Sequence, residues 1–380
     1  MHVLYVIDSL APGGAERSLV DMAPYLLAAG VDLEVAVLHD RAGLAGELRG
    51  HGVPIYVVGG ASRGAWFAGA VRLLRRRRPD LVHTTLFDSD IVGRAAAAIL
   101  RIPTVSTLAN TPYGPEHMAE SGVSVVRLRG AQVADAATSR LVRRFHAVSR
   151  ATADACIARL KIPADKIEVI PRGRDLTRMG EPSAARRATV RQSLGIPEET
   201  PLVVAVARQE PQKGLDVLIR ATPDLLRHHP GAMVMVAGRE GRSSRDLSQL
   251  TTEVGCTGNV RFLGARDDVA DLLCAADVFV LPSRREGLPG AVLEAMAMRV
   301  PIVASDLPNV VEAVPGDDYA VLVPCDDPEA LNASIVSVLD DPASAERRAV
   351  AARARFDEHF DIAAVSRAMV RFYRAALAAV

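Results

Sequence analysis

The chain has 380 residues, too many for one ordinary core and comfortable for two domains. Hydrophobic residues make up 49% and charged residues 24%, a globular composition that excludes a disordered or collagen-like chain. Lys+Arg and Asp+Glu both number 45, so there is no basic excess of the kind that marks a protein living on nucleic-acid phosphates.

The chain opens MHVLYVID, without the basic stretch, apolar stretch and small-residue cleavage site of a secretory leader, and it contains no run of 18 apolar residues. Cys156, Cys256, Cys274 and Cys325 stand far apart, without metal-ligand spacing, and read as small buried hydrophobes in a reducing compartment. These features predict a cytoplasmic protein.

Short apolar runs at 2–7, 33–38, 55–58, 81–83 and 104–107 are strand-like, with helical patterns between them at about 14–29, 65–77 and 89–100. Continuous apolar strands between helices indicate parallel strands buried on both faces. The alternation then repeats. Strands are expected at 202–206, 233–237, 260–263, 278–281 and 302–304, and helices near 214–227, 267–275 and 290–299. Two successive series predict an α/β protein with two doubly wound parallel sheets, 1–178 and 179–361. The segment 174–184, RDLTRMGEPSA, interrupts both patterns and marks the hinge. A last helix, about 362–379, suits either domain.

Charge follows the same division. Residues 1–180 carry 23 basic and 17 acidic side chains, and residues 181–380 carry 22 and 28. The two units are expected to face different partners. Lysine occurs only at 161, 166 and 213 in an arginine-rich chain, so an arginine cluster counts for less and a single lysine for more.

Ligands of open α/β sheets bind outside the carboxyl ends of the strands, here in a cleft expected between two such sheets. After the strand 278–281 comes SRREGLPGAVLEAMAM. Glu286 lies in the loop, Pro289 suits the first helical turn, and Glu294 lies inside the helix. Free N–H groups around Gly287 and Leu288, with the helix dipole, form an anion site. Two carboxylates eight residues apart suit hydroxyls on either side of a phosphate; they equally suit a capped helix with solvated ends. After the strand 202–206 comes RQEPQKG, where Arg208 and Lys213 match a diphosphate or an ordinary charged turn.

VLPSRREGLPGAVLEAMAMRVPIVASD resembles the E-x7-E signature of the retaining glycosyltransferases of family 4, and RQEPQKGLDVLI resembles their Arg/Lys diphosphate motif. PGGAER (12–17), FHAVS (145–149), VIPRGRD (169–175), VMVAG (234–238) and VRFLGARDDV (260–269) follow in that family's order. The resemblance implies the GT-B fold, two Rossmann-like domains facing a central cleft. It implies a hexosyl transfer from a UDP- or GDP-type sugar to a hydroxyl acceptor, a lipid, glycan or small metabolite, with retention and without a metal or other cofactor. By the same resemblance Glu286 meets donor-sugar hydroxyls and Glu294 the ribose, Arg208 and Lys213 hold the pyrophosphate, and Gly13 and Gly14 admit the phosphate and sugar to the backbone. A sugar-nucleotide epimerase, a glycosyl phosphorylase and a non-catalytic sugar-binding protein are the competing readings.

The chain also departs from the pattern. Arg172 stands where the family has Asn, and Ala109-Asn110 where many members have His. Asn110 offers a hydrogen bond there; His117 substitutes only if its loop folds back. His83 and His146 end strands and are acceptor-side candidates or plain strand-end histidines. Asp88-Ser89-Asp90 spells the D-x-D metal motif of another fold, but Asp88 reads as a helix N-cap and no metal is expected. Arg72, Arg75, Arg76, Arg77 and Arg78 form a helix-end basic patch, suited to an anionic membrane surface or to the helix dipole.

Overall fold

The computed structural model describes residues 1–41, 43–114 and 123–378; His117 lies outside them. The chain divides into two units, Met1–Asp175 with Phe360–Val380, and Leu176–His359.

The first unit holds seven parallel strands in the order β3-β2-β1-β4-β5-β6-β7. They are β1 (His2–Ile7), β2 (Asp32–Val37), β3 (Ile55–Val57), β4 (Leu81–Thr85), β5 (Thr104–Leu108), β6 (Arg144–Ala147) and β7 (Ile167–Val169). β1 and β4 are neighbours, and the chain proceeds outward from them in opposite directions, so their carboxyl ends form the switch point of the sheet. One sheet face buries Val3, Tyr5 and Val35 against Leu19, Val20 and Leu26 of helix Gly14–Ala28. The same core takes Ile362, Val365, Met369, Phe372, Tyr373 and Ala376, the apolar stripe of helix Ile362–Ala378. The last helix therefore belongs to the first unit. The other face packs Leu4, Val6 and Val82 on Trp66 and Leu74 of helix Arg63–Arg77 and on Val92 of helix Phe87–Ile99.

The second unit has six parallel strands in the order β10-β9-β8-β11-β12-β13. They are β8 (Leu202–Val206), β9 (Met233–Ala237), β10 (Val260–Gly264), β11 (Val278–Leu281), β12 (Ile302–Ser305) and β13 (Val321–Val323). Its switch point lies between β8 and β11. Beyond the expected strands the sheets contain β7 and β13, and the strand expected at His146 is β6. β7 and β13 have three residues each, too short for a readable period.

A buried polar chain ties the last helix to the first sheet. Tyr373 Oη lies 2.7 Å from His83 Nδ1, His83 Nε2 lies 2.7 Å from Thr107 Oγ1, and Thr107 Oγ1 lies 3.1 Å from His146 Nδ1. His146 Nε2 ends the chain 2.7 Å from the Ile170 carbonyl oxygen. That carbonyl can only accept, so it fixes every proton upstream: His146 Nε2–H donates to it, Thr107 to His146, His83 Nε2–H to Thr107, and Tyr373 to His83. Both imidazoles are neutral in this arrangement. Burial drives His83 well below its ordinary value and His146 down to about 4.

The unfolded chain takes up protons below about pH 6.5 that these buried imidazoles refuse, so their contribution to stability is greatest above that pH. It should fall as the pH drops from about 6.5 towards about 4, each histidine contributing a slope of about 1.4 kcal/mol per pH unit. Tyr373→Phe should cost about 1–3 kcal/mol, because His83 Nδ1 is left as a buried acceptor without a donor. Urea unfolding between pH 4.5 and 7.5 checks both; the raised Asp90 carboxyl contributes a slope of opposite sign, so the histidine slope is read as native minus His146→Gln, and no difference between them contradicts the neutral chain.

Candidate functional site

The loops leaving β8 and β11 at the second switch point carry the residues singled out in the sequence. After β8 the backbone makes a 3-10 turn, Pro211–Lys213, and Gly214, at φ +59°, starts helix Leu215–His228. Lys213 therefore stands just before the helix. After β11 the loop runs from Pro282 to Pro289, which is the N-cap of helix Gly290–Ala297 rather than its first residue. That N-cap offers no side-chain acceptor, so the first helical amides, Gly290 and Ala291, present the positive end of the helix. Gly287 and Leu288 are buried beneath it.

The two loops are locked together. A Cβ at Gly214 would overlap the Pro282 carbonyl oxygen, and only a residue without one permits that approach at positive φ. Arg284 N–H donates to the Gln212 carbonyl at 2.9 Å, and Arg284 Nη1 to the Pro211 carbonyl at 2.6 Å. The Arg284 guanidinium also grips both oxygens of Asp216, at 2.9 and 2.7 Å, and reaches Asp326 at 2.6 Å. Arg285 Nη2 donates to Gln212 Oε1 at 2.7 Å.

This packing brings Lys213 to Glu286. Lys213 Nζ lies 2.6 Å from Glu286 Oε1, and Ser283 Oγ donates to the same oxygen at 2.7 Å. The Glu286 side chain is only 8% exposed, yet its Oε2 accepts no hydrogen bond from the described residues. One oxygen is anchored twice and the other is presented. Arg208, two residues past the end of β8, is half-buried, and its guanidinium makes no ion pair or hydrogen bond among the described residues. A cation, a paired ammonium, an open carboxylate oxygen and a helix N-terminus thus share one switch point. Such a set can hold a phosphate group beside a hydroxyl.

Glu294 lies one turn inside helix Gly290–Ala297. It lines a cavity of about 90 Å³ with Arg178, Arg186, Asp267, Asp268 and Asp271, on the side of the loop after β10. The two glutamates of E-x7-E therefore face different surroundings. Ser283, Arg284 and Gln212 had no place in the sequence reading. Ser283 sits three residues from Glu286, which is a usable signal, whereas Arg284 is hidden by the abundance of arginine.

The first unit closes its own switch point. Asp8 follows β1, and its Oδ1 accepts from Ser89 N at 2.8 Å and Ser89 Oγ at 2.6 Å. An internal carboxylate thus occupies the N-terminus of helix Phe87–Ile99, where burial raises the Asp8 pKa. Leu86 is the N-cap of this helix, and Asp88, expected to be the cap, lies in its first turn. Asp88 pairs with Arg63 at 2.8 Å. Asp90 turns inward to Thr84 and to Arg94 at 3.2 Å, and burial pushes its carboxyl up to about 7. The two carboxylates thus serve separate partners.

Gly13 is the extended N-cap of helix Gly14–Ala28, and Arg172 stands over Gly14 while donating to the Ala109 carbonyl at 3.4 Å. Asn110 is exposed at the end of β5. His83 and His146 have both ring nitrogens engaged inside the unit, so any acceptor contact through them would break the polar chain. Arg72, Arg75, Arg76 and Arg78 are exposed, but Arg77 is tied to Glu34 at 2.9 Å and lies over the Tyr56 ring. No helix among the described residues is long and apolar enough to cross a membrane.

Comparison with known proteins identifies the family. The family described as Glycosyl transferases group 1 matches residues 186–355, and Glycosyltransferase Family 4 matches residues 12–178. A D-inositol 3-phosphate glycosyltransferase of Kineococcus radiotolerans is 32% identical over 323 residues, 79% of this chain and 72% of its own length. A glycogen synthase of Mycobacterium tuberculosis is 34% identical over 308 residues, 80% of this chain and 70% of its own. Among solved structures, Anabaena HepE in complex with UDP-glucose has a TM-score of 0.87 at 25% identity, covering 99% of this chain and all of that one.

Gly214→Ala should separate the two loops. The substitution adds a side chain at positive φ and drives it into the Pro282 carbonyl, at a cost of more than about 1 kcal/mol. Thermal unfolding is expected to show that loss; an unchanged melting temperature contradicts the close approach.

Proposed function

This chain belongs to the group 1, family 4 glycosyltransferases, and from that premise we propose that it moves a hexosyl group from a UDP-sugar to a hydroxyl acceptor, with retention and without a metal. The observation that carries this reading is the Lys213–Glu286 pair beside an open helix N-terminus at the β8/β11 switch point. The HepE structures hold UDP, glucose and UDP-glucose, which favours uridine diphosphate as the leaving group here.

As the bond from the sugar C1 to the diphosphate oxygen breaks, its electron pair moves onto the diphosphate. Arg208, Lys213 and the amides of Gly290 and Ala291 stabilise that growing charge more in the transition state than before it. The open Oε2 of Glu286 accepts from a hydroxyl of the donor sugar, and Glu294 takes the ribose. Retention by double displacement needs a carboxylate nucleophile on the far face of the sugar. No residue in the sequence stands out for that role. The reading therefore has the acceptor oxygen attack C1 on the face the diphosphate leaves, passing its proton to a diphosphate oxygen. We assign Gly13, Gly14 and Asn110 to the donor's phosphate and sugar, and Arg172 to the acceptor side. The exposed Arg72, Arg75, Arg76 and Arg78 suit an anionic bilayer surface, which sedimentation with anionic vesicles tests.

Lys213→Ala and Arg208→Ala should each lower turnover by orders of magnitude, since one donor to a developing oxyanion is typically worth about 3–4 kcal/mol. EDTA should leave turnover intact. In titration calorimetry Glu294→Gln should weaken UDP, whereas Glu286→Gln should abolish most transfer without weakening UDP. Near-native turnover in both cation variants, or manganese-restored activity after EDTA, contradicts the reading.

A further inference from the structure

We propose that Ser283 is a positioning residue that holds the Glu286 carboxylate in place while Lys213 turns to the diphosphate; this rests on the donor-site reading above. Glu286 Oε1 has two donors, Lys213 Nζ at 2.6 Å and Ser283 Oγ at 2.7 Å. They differ in what the substrate does to them. An arriving diphosphate brings more negative charge than one carboxylate and draws the ammonium towards itself. A neutral hydroxyl feels no comparable pull.

The two donors also differ in freedom. The Lys213 ammonium ends a flexible four-carbon stem. Ser283 is fully buried, and its hydroxyl hangs from Cβ alone. Its backbone is held from two sides: the preceding Pro282 carbonyl abuts Gly214, and the following Arg284 N–H is bonded to Gln212. The Ser283 carbonyl also receives the Cys325 thiol at 3.7 Å. With Lys213 engaged elsewhere, the Ser283 hydroxyl is the remaining anchor of Oε1 among the described residues. That anchor decides whether Oε2 still points at the sugar. Ser283 touches neither reactant, so its effect belongs to the sugar half of the donor and not to the nucleotide half.

The test uses the full-length protein with UDP and UDP-glucose as probes. Calorimetry gives affinities, and the release of UDP from UDP-glucose in water gives turnover without an acceptor. Ser283→Ala should cut turnover roughly 10- to 100-fold, the worth of one hydrogen bond to a charged group. UDP affinity should change less than twofold. Ser283→Cys, similar in volume but a weak donor, should behave like Ser283→Ala, and Ser283→Thr should restore turnover. Melting temperatures establish that each variant is folded. Native turnover in Ser283→Ala, or an equal loss of UDP affinity and turnover, overturns the role of Ser283. Glu286→Gln separates that failure from failure of the donor-site reading: if it too turns over UDP-glucose normally, the reading falls, and if it is dead while Ser283→Ala is native, only Ser283 falls.

Discussion

Glu286 is nearly buried, Lys213 is largely so, and each meets the other at 2.6 Å. A buried charge without its partner costs several kcal/mol, so neither position tolerates a neutral neighbour cheaply. The pair forms only because the loops after β8 and β11 touch, which in turn requires Gly214 against Pro282 and the grip of Arg284 on Asp216, Asp326 and the 211–212 backbone. Those loops touch because β8 and β11 are adjacent while their chains diverge. The sheet order therefore puts the two loops side by side, and the ion pair defines what they offer a ligand.

The two units answer the same topological question differently. Each has a switch point, and each places a helix N-terminus there. In the first unit Asp8 fills that position with the protein's own carboxylate. In the second the N-cap is Pro289, whose side chain can neither donate nor accept, and the cation side chains gather instead. The proposed donor site gives an external anion a place in the second unit, whereas in the first Asp8 already stands there. This difference in local electrostatics matches the charge asymmetry between the halves only in part. The second half is the more acidic one, and its cations work by position rather than by number.

Much of this was legible in the sequence. The alternation of apolar strands and helices gave both sheets, and the rarity of lysine drew attention to Lys213. Glu286 stood out through its place before a helix start. What remained hidden depends on contacts distant in sequence. Asp8 caps a helix 81 residues away, and Arg284 reaches Asp216 across 68. His83 and His146 look like cleft residues when only their strand ends are considered. Their true partners, Tyr373 and the Ile170 carbonyl, come from a helix 290 residues on and from the end of β7. The short strands β7 and β13 carry too few residues to show a period at all.

The proposed donor site requires Lys213 to be shared between Glu286 and an incoming diphosphate. A double-mutant cycle on UDP binding, with Lys213→Met and Glu286→Gln made singly and together, measures that sharing directly. Removing the Glu286 charge frees Lys213, so Glu286→Gln should hold or tighten UDP affinity when Lys213 is present. In the Lys213→Met background the same substitution should lose that lysine-dependent gain, and UDP affinity should be weak throughout. Strict additivity, with native UDP affinity in Lys213→Met, would show that the pair is structural and that the diphosphate lies elsewhere.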